Sequence, residues 1–104
     1  VAVYPDYYLD IGDIPLQRTY EFNPLPPSLT AEQQQHVIGV QGNMWGENTV
    51  SLQKIDSFSF PRLLAIAETG WTQQALKNYK DFEARADQFE KRLKLLGVPS
   101  PVAP

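Results

Sequence analysis

The run from Val37 to Trp45 constrains the fold of this chain more than any other segment. It is apolar at its start and becomes polar towards its end, which is typical of a buried parallel strand that surfaces at its carboxyl end. Gly39 and Gly42 interrupt the run, and glycines inside a strand predict the close approach of a neighbouring backbone or side chain. Such crowding is usual in a barrel or a doubly wound sheet, so the run favours an α/β fold.

Shorter elements precede this strand. Residues 1–9 are mostly β-branched or aromatic and predict a strand, interrupted at Pro5 because proline cannot donate to a ladder. Residues 11–29 carry several prolines among polar residues and predict a loop. Thr30, followed three residues later by Gln33, has the spacing of a capping box and predicts a short helix.

Helical patterns dominate the second half of the chain. Residues 51–69 predict two helical pieces, with Pro61 in the first turn of the second piece, where its missing N–H costs nothing. Residues 79–96 predict an amphipathic helix with Gly97 as its C′ cap. Residues 98–104 form a Pro-rich tail. The apolar face of the last helix consists of Phe82, Ala86, Phe89, Leu93 and Leu96.

Composition excludes several classes of function. A formal net charge of −3 and a pI near 5.0 provide no basic field, so neither nucleic acid nor a membrane surface is expected as a partner. The chain has no cysteine, which rules out thiolate metal sites and thiol nucleophiles. No cofactor and no metal are expected. The length of 104 residues predicts one domain, and the opening without a methionine is expected of the interior of a longer protein.

The motif from Met44 to Glu47 places an aromatic plate beside a carboxylate at the predicted strand end. A flat π face can cover the C–H groups of a sugar ring, and an ionised acceptor can take hydroxyl hydrogen bonds. The residues alone favour a core aromatic for Trp45 and a solvated loop carboxylate for Glu47. Tyr8 could equally be a strand aromatic, and Asp10 a turn residue.

Taken together, these segments resemble the end of the catalytic domain of family 20 β-N-acetylhexosaminidases. Residues 37–47 and 60–71 carry most of the resemblance, and residues 8–10 and 20–26 extend it. The resemblance implies a (β/α)8 TIM barrel in a parent enzyme, of which residues 1–97 supply about the last two strands and the helices after them. Site residues of such barrels lie at the carboxyl ends of the strands. As an isolated fragment, this α/β piece is expected to be helix-rich.

The resemblance also implies a reaction and roles for particular residues. The family removes terminal N-acetylglucosamine or N-acetylgalactosamine from glycans with retention, and the substrate's own acetamido oxygen is the nucleophile. Tyr8 matches a tyrosine whose hydroxyl hydrogen-bonds the acetamido carbonyl. Trp45 matches a tryptophan that lines the sugar pocket, and Glu47 a carboxylate that accepts hydrogen bonds from ring hydroxyls. Asp10 matches a carboxylate near the sugar's hydroxymethyl group.

Departures from the family pattern limit what the chain can do by itself. The adjacent Asp-Glu pair of the family, whose glutamate is the general acid, has no counterpart in this sequence. Without a proton donor the leaving oxygen would depart as an alkoxide, so the chain alone is predicted to be inert. The stretch between Asp10 and Tyr20 is shorter than is common and lacks a tryptophan, and Asn48 stands where many relatives carry tyrosine.

Other classes of function stay open on the sequence. One is a carbohydrate-binding module that holds sugar without cleaving it. Another is a helical interaction module, in which the face with Phe82, Phe89 and Leu93 docks a partner. Two strands cut from a closed barrel would also leave unpaired edges, so self-association of the fragment is expected.

The remaining charged and aromatic residues favour structural roles. His36 precedes the amino end of the predicted strand, away from the site. Arg62 and Glu68 lie in an apolar helix and are interpreted as a structural ion pair or cap. Trp71 is interpreted as a packing residue.

Overall fold

The structure is a computed structural model that describes residues 5–10, 14–46 and 51–98. The described part is predominantly helical. Its α-helices are α1 (Leu16–Glu21), α2 (Ala31–Gln35), α3 (Leu52–Ser59), α4 (Arg62–Trp71) and α5 (Tyr79–Leu95). Short 3-10 helices cover Pro5–Tyr7 and Gln74–Leu76. Residues 1–4 of the predicted first strand and residues 99–104 of the Pro-rich tail lie outside the described residues.

The two predicted strands meet at one parallel bridge within the described residues. The bridge joins Tyr8 and Asn43: the Leu9 N–H donates to the Asn43 carbonyl oxygen at 2.7 Å, and the Asn43 N–H donates to the Tyr7 carbonyl oxygen at 2.9 Å. The strand prediction over residues 1–9 is wrong at residues 5–7, and the described residues of 1–9 and 37–45 carry isolated bridge residues, Tyr8, Val40 and Asn43, in place of a continuous ladder. Two short strands alone are marginal in water, and the proline-led segment adopts a 3-10 helix instead.

Helix α1 lies inside residues 11–29, where the sequence predicts a loop, and this part of the prediction is wrong. Pro15 precedes the helix with φ near −63°, a value that suits a helix start. Leu16 and Tyr20, four residues apart, then lie on the same face of the helix. Tyr20 is only 1% exposed and Leu16 packs against the same cluster, so burial stabilises a helix that the surrounding prolines conceal in the sequence.

Several predicted helix signals are confirmed. The Gln33 N–H donates to Thr30 Oγ1 at 3.1 Å, and the Thr30 N–H donates to Gln33 Oε1 at 2.9 Å, which completes the capping box. Helices α3 and α4 are separate pieces that meet at Phe60 and Pro61. Helix α5 ends at Leu95 and is followed by Gly97 at φ +87°, a conformation that favours glycine.

Helix α4 lies between two groups of buried side chains. On one side, its residue Ala65 packs with Tyr20 of α1 and with Phe82 and Ala86 of α5. On the other side, Ile66 packs with the buried residues Tyr7 and Leu9 and with the partly buried residues Phe22, Val40, Met44 and Leu63. The helix therefore connects the helical body to the segments that carry the Tyr8–Asn43 bridge.

Close packing around the Val37 to Trp45 run is confirmed at one of its two glycines. A Cβ atom at Gly42 would lie 3.1 Å from the Ile66 side chain and 3.3 Å from the Leu9 side chain, so a larger residue at this position would force these side chains to shift. A Cβ atom at Gly39 would meet nothing within 4 Å, and the prediction is wrong there.

Trp71 is 92% exposed, so its assignment as a packing residue is also wrong.

The described helices are all too short or too polar to cross a membrane.

Candidate functional site

Both backbone polar groups of Tyr8 are hydrogen-bonded, and so are those of the neighbouring residues that face Asn43. Its own N–H donates to the Pro5 carbonyl oxygen at 3.1 Å, and its carbonyl oxygen accepts from Nη1 of Arg62 at 3.2 Å. The peptide groups on either side of it bond Asn43. With the backbone fixed, only the side-chain torsions of Tyr8 remain free to adapt to a ligand.

The bridge also determines which side chains share a face. Residues paired across a parallel bridge project to the same side, so the Tyr8 and Asn43 side chains lie next to each other. Trp45 follows Asn43 by two residues and is 60% exposed. An aromatic plate is therefore exposed two residues past the bridge, and Trp45 is not a core residue in this structure.

Two buried polar atoms near this bridge lack a hydrogen-bond partner among the described residues. One is Oδ1 of Asp10, the residue that follows Leu9 in the chain. The other is Nδ2 of Asn43, whose Oδ1 accepts from Gln41 Nε2 at 2.7 Å. A buried polar atom without a partner costs free energy, about 1–3 kcal/mol, so both atoms are suited to meet a ligand or another part of a larger protein.

The structure describes three of the four predicted site residues. Tyr8 is paired in the bridge, Asp10 follows Tyr8 by two residues, and Trp45 follows the bridge partner Asn43 by two residues. Glu47 lies outside the described residues. A hydroxyl, a carboxylate and an exposed indole at one strand-end junction can hydrogen-bond and stack on a sugar ring.

Arg62 hydrogen-bonds the backbone of this junction. The sequence indicates only a structural role for it. Its side chain is 7% exposed, and its guanidinium donates to the carbonyl oxygens of Tyr8 and Leu9. It also donates to the Phe58 carbonyl oxygen of α3 at 3.0 Å. The alternative of a structural cap is confirmed, and the residues that it caps are those that carry the candidate site.

A second polar cluster, remote in sequence from the bridge, joins helices α4 and α5. Both terminal nitrogens of Arg85 donate to the Glu68 carboxylate, at 2.5 and 3.0 Å. This paired guanidinium lowers the pKa of Glu68. Tyr20 Oη accepts from the Asn78 N–H at 2.9 Å, and burial together with the Glu68 carboxylate raises the pKa of Tyr20. The predicted structural ion pair of Glu68 is thus confirmed, with Arg85 as its partner.

The remaining ionisable residues in the described part of the chain have structural contacts or lie exposed. Lys77 Nζ donates to Thr69 Oγ1 at 3.1 Å and lies over the Tyr20 ring, and desolvation lowers the pKa of Lys77. His36 is exposed at the end of α2. Among the described residues, no group of three or more acidic, histidine or cysteine side chains could hold a metal ion.

Sequence reasoning missed Asn43 and the supporting role of Arg62. The signal for Asn43 was present, because Gln41, Asn43 and Trp45 alternate with Gly42 and Met44, which would place the former three on one face of an extended segment. The role of Arg62 depends on contacts across more than fifty positions of sequence and carries no local signal.

Comparisons with known proteins agree on one family. The model of the glycosyl hydrolase family 20 catalytic domain matches residues 6–74. A beta-hexosaminidase of Porphyromonas gingivalis is 40% identical over 87 residues, which cover 84% of this chain and 11% of that protein. A beta-N-acetylhexosaminidase of Cellulomonas fimi is 35% identical over 79 residues, which cover 74% of this chain and 15% of that protein.

A plant protein extends the similarity further along the chain. Beta-hexosaminidase 3 of Arabidopsis thaliana is 34% identical over 94 residues, which cover 88% of this chain and 17% of that protein. This chain therefore spans between about a tenth and a sixth of the length of these relatives. No solved structure matches the chain.

Proposed function

The chain belongs to glycosyl hydrolase family 20, a family of TIM-barrel catalytic domains, and on that premise we propose that it forms one wall of a pocket for N-acetylhexosamine. The complete protein would remove terminal non-reducing N-acetyl-β-D-hexosamine residues from a glycan. Residues 1–97 would supply about the last two strands of the barrel and the helices that follow. The β-hexosaminidase names of its relatives support this reaction.

The observation that carries the proposal is the junction of Tyr8 with the run that leads to Trp45. The bridge between Tyr8 and Asn43 is parallel, as neighbouring strands of a TIM barrel are, and Trp45 is exposed just beyond it. Tyr8 and Trp45 come from segments far apart in sequence, and both segments belong to one packed cluster, the first through Leu9 and the second through Met44. Such an arrangement supports an aromatic and hydrogen-bonding wall at the carboxyl ends of two strands.

In the proposed reaction, the acetamido oxygen of the substrate attacks the anomeric carbon while the glycosidic C–O bond breaks. The Tyr8 hydroxyl donates a hydrogen bond to the acetamido group and holds it for attack. Trp45 covers the sugar and its acetamido group. Glu47 accepts from ring hydroxyls, and Asp10 accepts near the hydroxymethyl group. Water then opens the cyclic intermediate and restores the acetamido group with the anomeric configuration retained.

The proton that the leaving oxygen needs must come from outside this chain. The family's adjacent Asp-Glu pair is absent from the sequence, and an alkoxide is a poor leaving group. We therefore expect the chain by itself to bind sugar at most, and the complete protein to turn it over. By itself, the chain is also expected to self-associate, because Ile38 and Leu52 are 82% and 73% exposed.

The test uses the complete product of the gene that encodes this chain, assayed with 4-nitrophenyl N-acetyl-β-D-glucosaminide. We expect Tyr8→Phe to lower kcat about 100-fold, since losing one donor to a developing charge typically costs that much. Tyr79→Phe, on α5, is the matched control and should leave kcat within about twofold, the ordinary scatter between independent sites. Equal kcat values for the wild type and Tyr8→Phe would refute the role of Tyr8.

A carbohydrate-binding module is the second candidate, and the exposure of Trp45 is the observation that favours it. In the chain by itself, Trp71→Phe leaves Trp45 as the sole indole, so its fluorescence can be titrated with N-acetylglucosamine. Binding by a complete gene product that hydrolyses none of the aryl glycoside would favour the module over the hydrolase. A helical docking module gains less support, because Phe82 and Leu93 are only 3% and 9% exposed within the chain itself.

A further inference from the structure

Arg62 is a charged side chain that is buried where helix α4 begins, and its contacts reach across the molecule to the candidate site. It is 7% exposed, which is unusual for an arginine and costly unless its charge is met by acceptors. Its guanidinium donates to the carbonyl oxygens of Tyr8 and Leu9, which lie more than fifty residues earlier in the chain. The same guanidinium donates to the Phe58 carbonyl oxygen at the end of α3.

These contacts, together with the bridge to Asn43, hold the backbone of Tyr8 and Leu9 in place. The Tyr8 carbonyl accepts from Arg62, and the Leu9 carbonyl does the same from the other terminal nitrogen. The Leu9 N–H is already held by the Asn43 carbonyl at 2.7 Å, and the Leu9 side chain is 5% exposed. Asp10 follows directly. The planar fork of a guanidinium can hold two adjacent carbonyls in one geometry, which a lysine ammonium cannot do equally well.

We propose that Arg62 is a positioning residue for the hydrolysis proposed above: by clamping the backbone of Tyr8 and Leu9, it sets where the Tyr8 hydroxyl meets the acetamido group. The inference rests on the proposed function. Arg62 donates to the backbone carbonyls of Tyr8 and Leu9, and we expect its effect on the reaction to pass through Tyr8. A shift of about 1 Å in a group that orients the substrate can cost about 100-fold in rate, which makes the clamp consequential.

A double-mutant cycle on the complete gene product tests this inference. Arg62→Lys keeps the charge and loses the fork, and Arg62→Gln loses the charge. We expect each to lower kcat about 10- to 100-fold with a smaller change in KM, and Arg62→Lys to be the milder. In the Tyr8→Phe background, neither substitution should lower kcat by more than about a further twofold, since residues that act through one another are not additive.

Arg85→Lys is the matched control, because it also breaks a forked set of hydrogen bonds, but between α4 and α5. It should lower the thermal midpoint and leave kcat of the folded enzyme within about twofold in both backgrounds. Multiplying effects of Arg62→Lys and Tyr8→Phe, or a wild-type kcat in both Arg62 variants, would overturn the inference and leave the hydrolase proposal intact. Failure of both variants to fold would also overturn it, because Arg62 would then be structural. An unsubstituted gene product without activity would instead reject the proposed function.

Discussion

The packing of α5 onto the body of the protein leads to a quantitative prediction for Phe82→Ala. Phe82 is 3% exposed, and its ring stacks on Tyr20 with centroids 4.5 Å apart and planes 17° from parallel. Truncating a buried phenylalanine to alanine typically costs about 3–5 kcal/mol, from lost burial and from the cavity left behind. Small domains have only about 5–15 kcal/mol in total, so the loss should be a large share of the free energy of unfolding.

Phe89→Ala provides the comparison, because Phe89 lies on the same helix and is 41% exposed. Its truncation leaves no closed cavity. It should lower the free energy of unfolding by less than about 1.5 kcal/mol, which is half of the upper value for fully burying a phenylalanine side chain. Urea unfolding followed by circular dichroism at 222 nm measures both variants. With an m-value of about 2 kcal/mol/M, the Phe82→Ala midpoint should fall by about 1.5–2.5 M, and the Phe89→Ala midpoint by less than about 0.7 M. Equal shifts would refute the packing of α5 through Phe82.

Two further predictions concern pH and assembly. The paired Arg85 guanidinium lowers the pKa of Glu68 below 4.5, so its stabilising contribution is complete above that pH and is lost as pH falls through the lower folded pKa. The free energies of unfolding of wild type and Glu68→Gln should be compared between pH 3 and 7. We expect the wild type to be more stable by only about 1 kcal/mol at pH 7, because solvent around the half-exposed Arg85 screens the pair, and we expect this difference to vanish in acid. A gap that widens in acid would contradict the pairing. The chain by itself should sediment as a dimer or larger species, and Ile38→Lys, at an 82% exposed position, should shift it towards monomer; a monodisperse wild-type monomer would refute self-association.

The sequence predicts those elements whose stability is local. Helix α5 shows its apolar spacing, its C′ glycine and a following proline within one stretch, and the structure places it at Tyr79–Leu95. The capping box at Thr30 needs only residues within one helical turn, and it is present. Features of this kind depend on near neighbours, which a sequence displays directly.

The errors occur where distant contacts decide the outcome. Helix α1 forms because Tyr20 is buried against α5, and the prolines around it indicate only a loop. The described residues of the predicted strands form isolated bridges, because a ladder needs partner strands along its length. Gly42 is crowded by Ile66 while Gly39 is not, and Arg62 reaches back to Tyr8. The local pattern predicts close packing at both glycines alike, and it carries no sign of the contacts that Tyr20 and Arg62 make.

The central claim is that this chain contributes a sugar-binding wall to a glycoside hydrolase and contains no proton donor for the reaction. The most direct test is the release of 4-nitrophenol from 4-nitrophenyl N-acetyl-β-D-glucosaminide, measured at equal molar concentrations of the chain alone and of the complete gene product. We predict hydrolysis by the complete product and none above background by the chain alone. Hydrolysis by the chain alone, or its absence in the complete product, would contradict the claim.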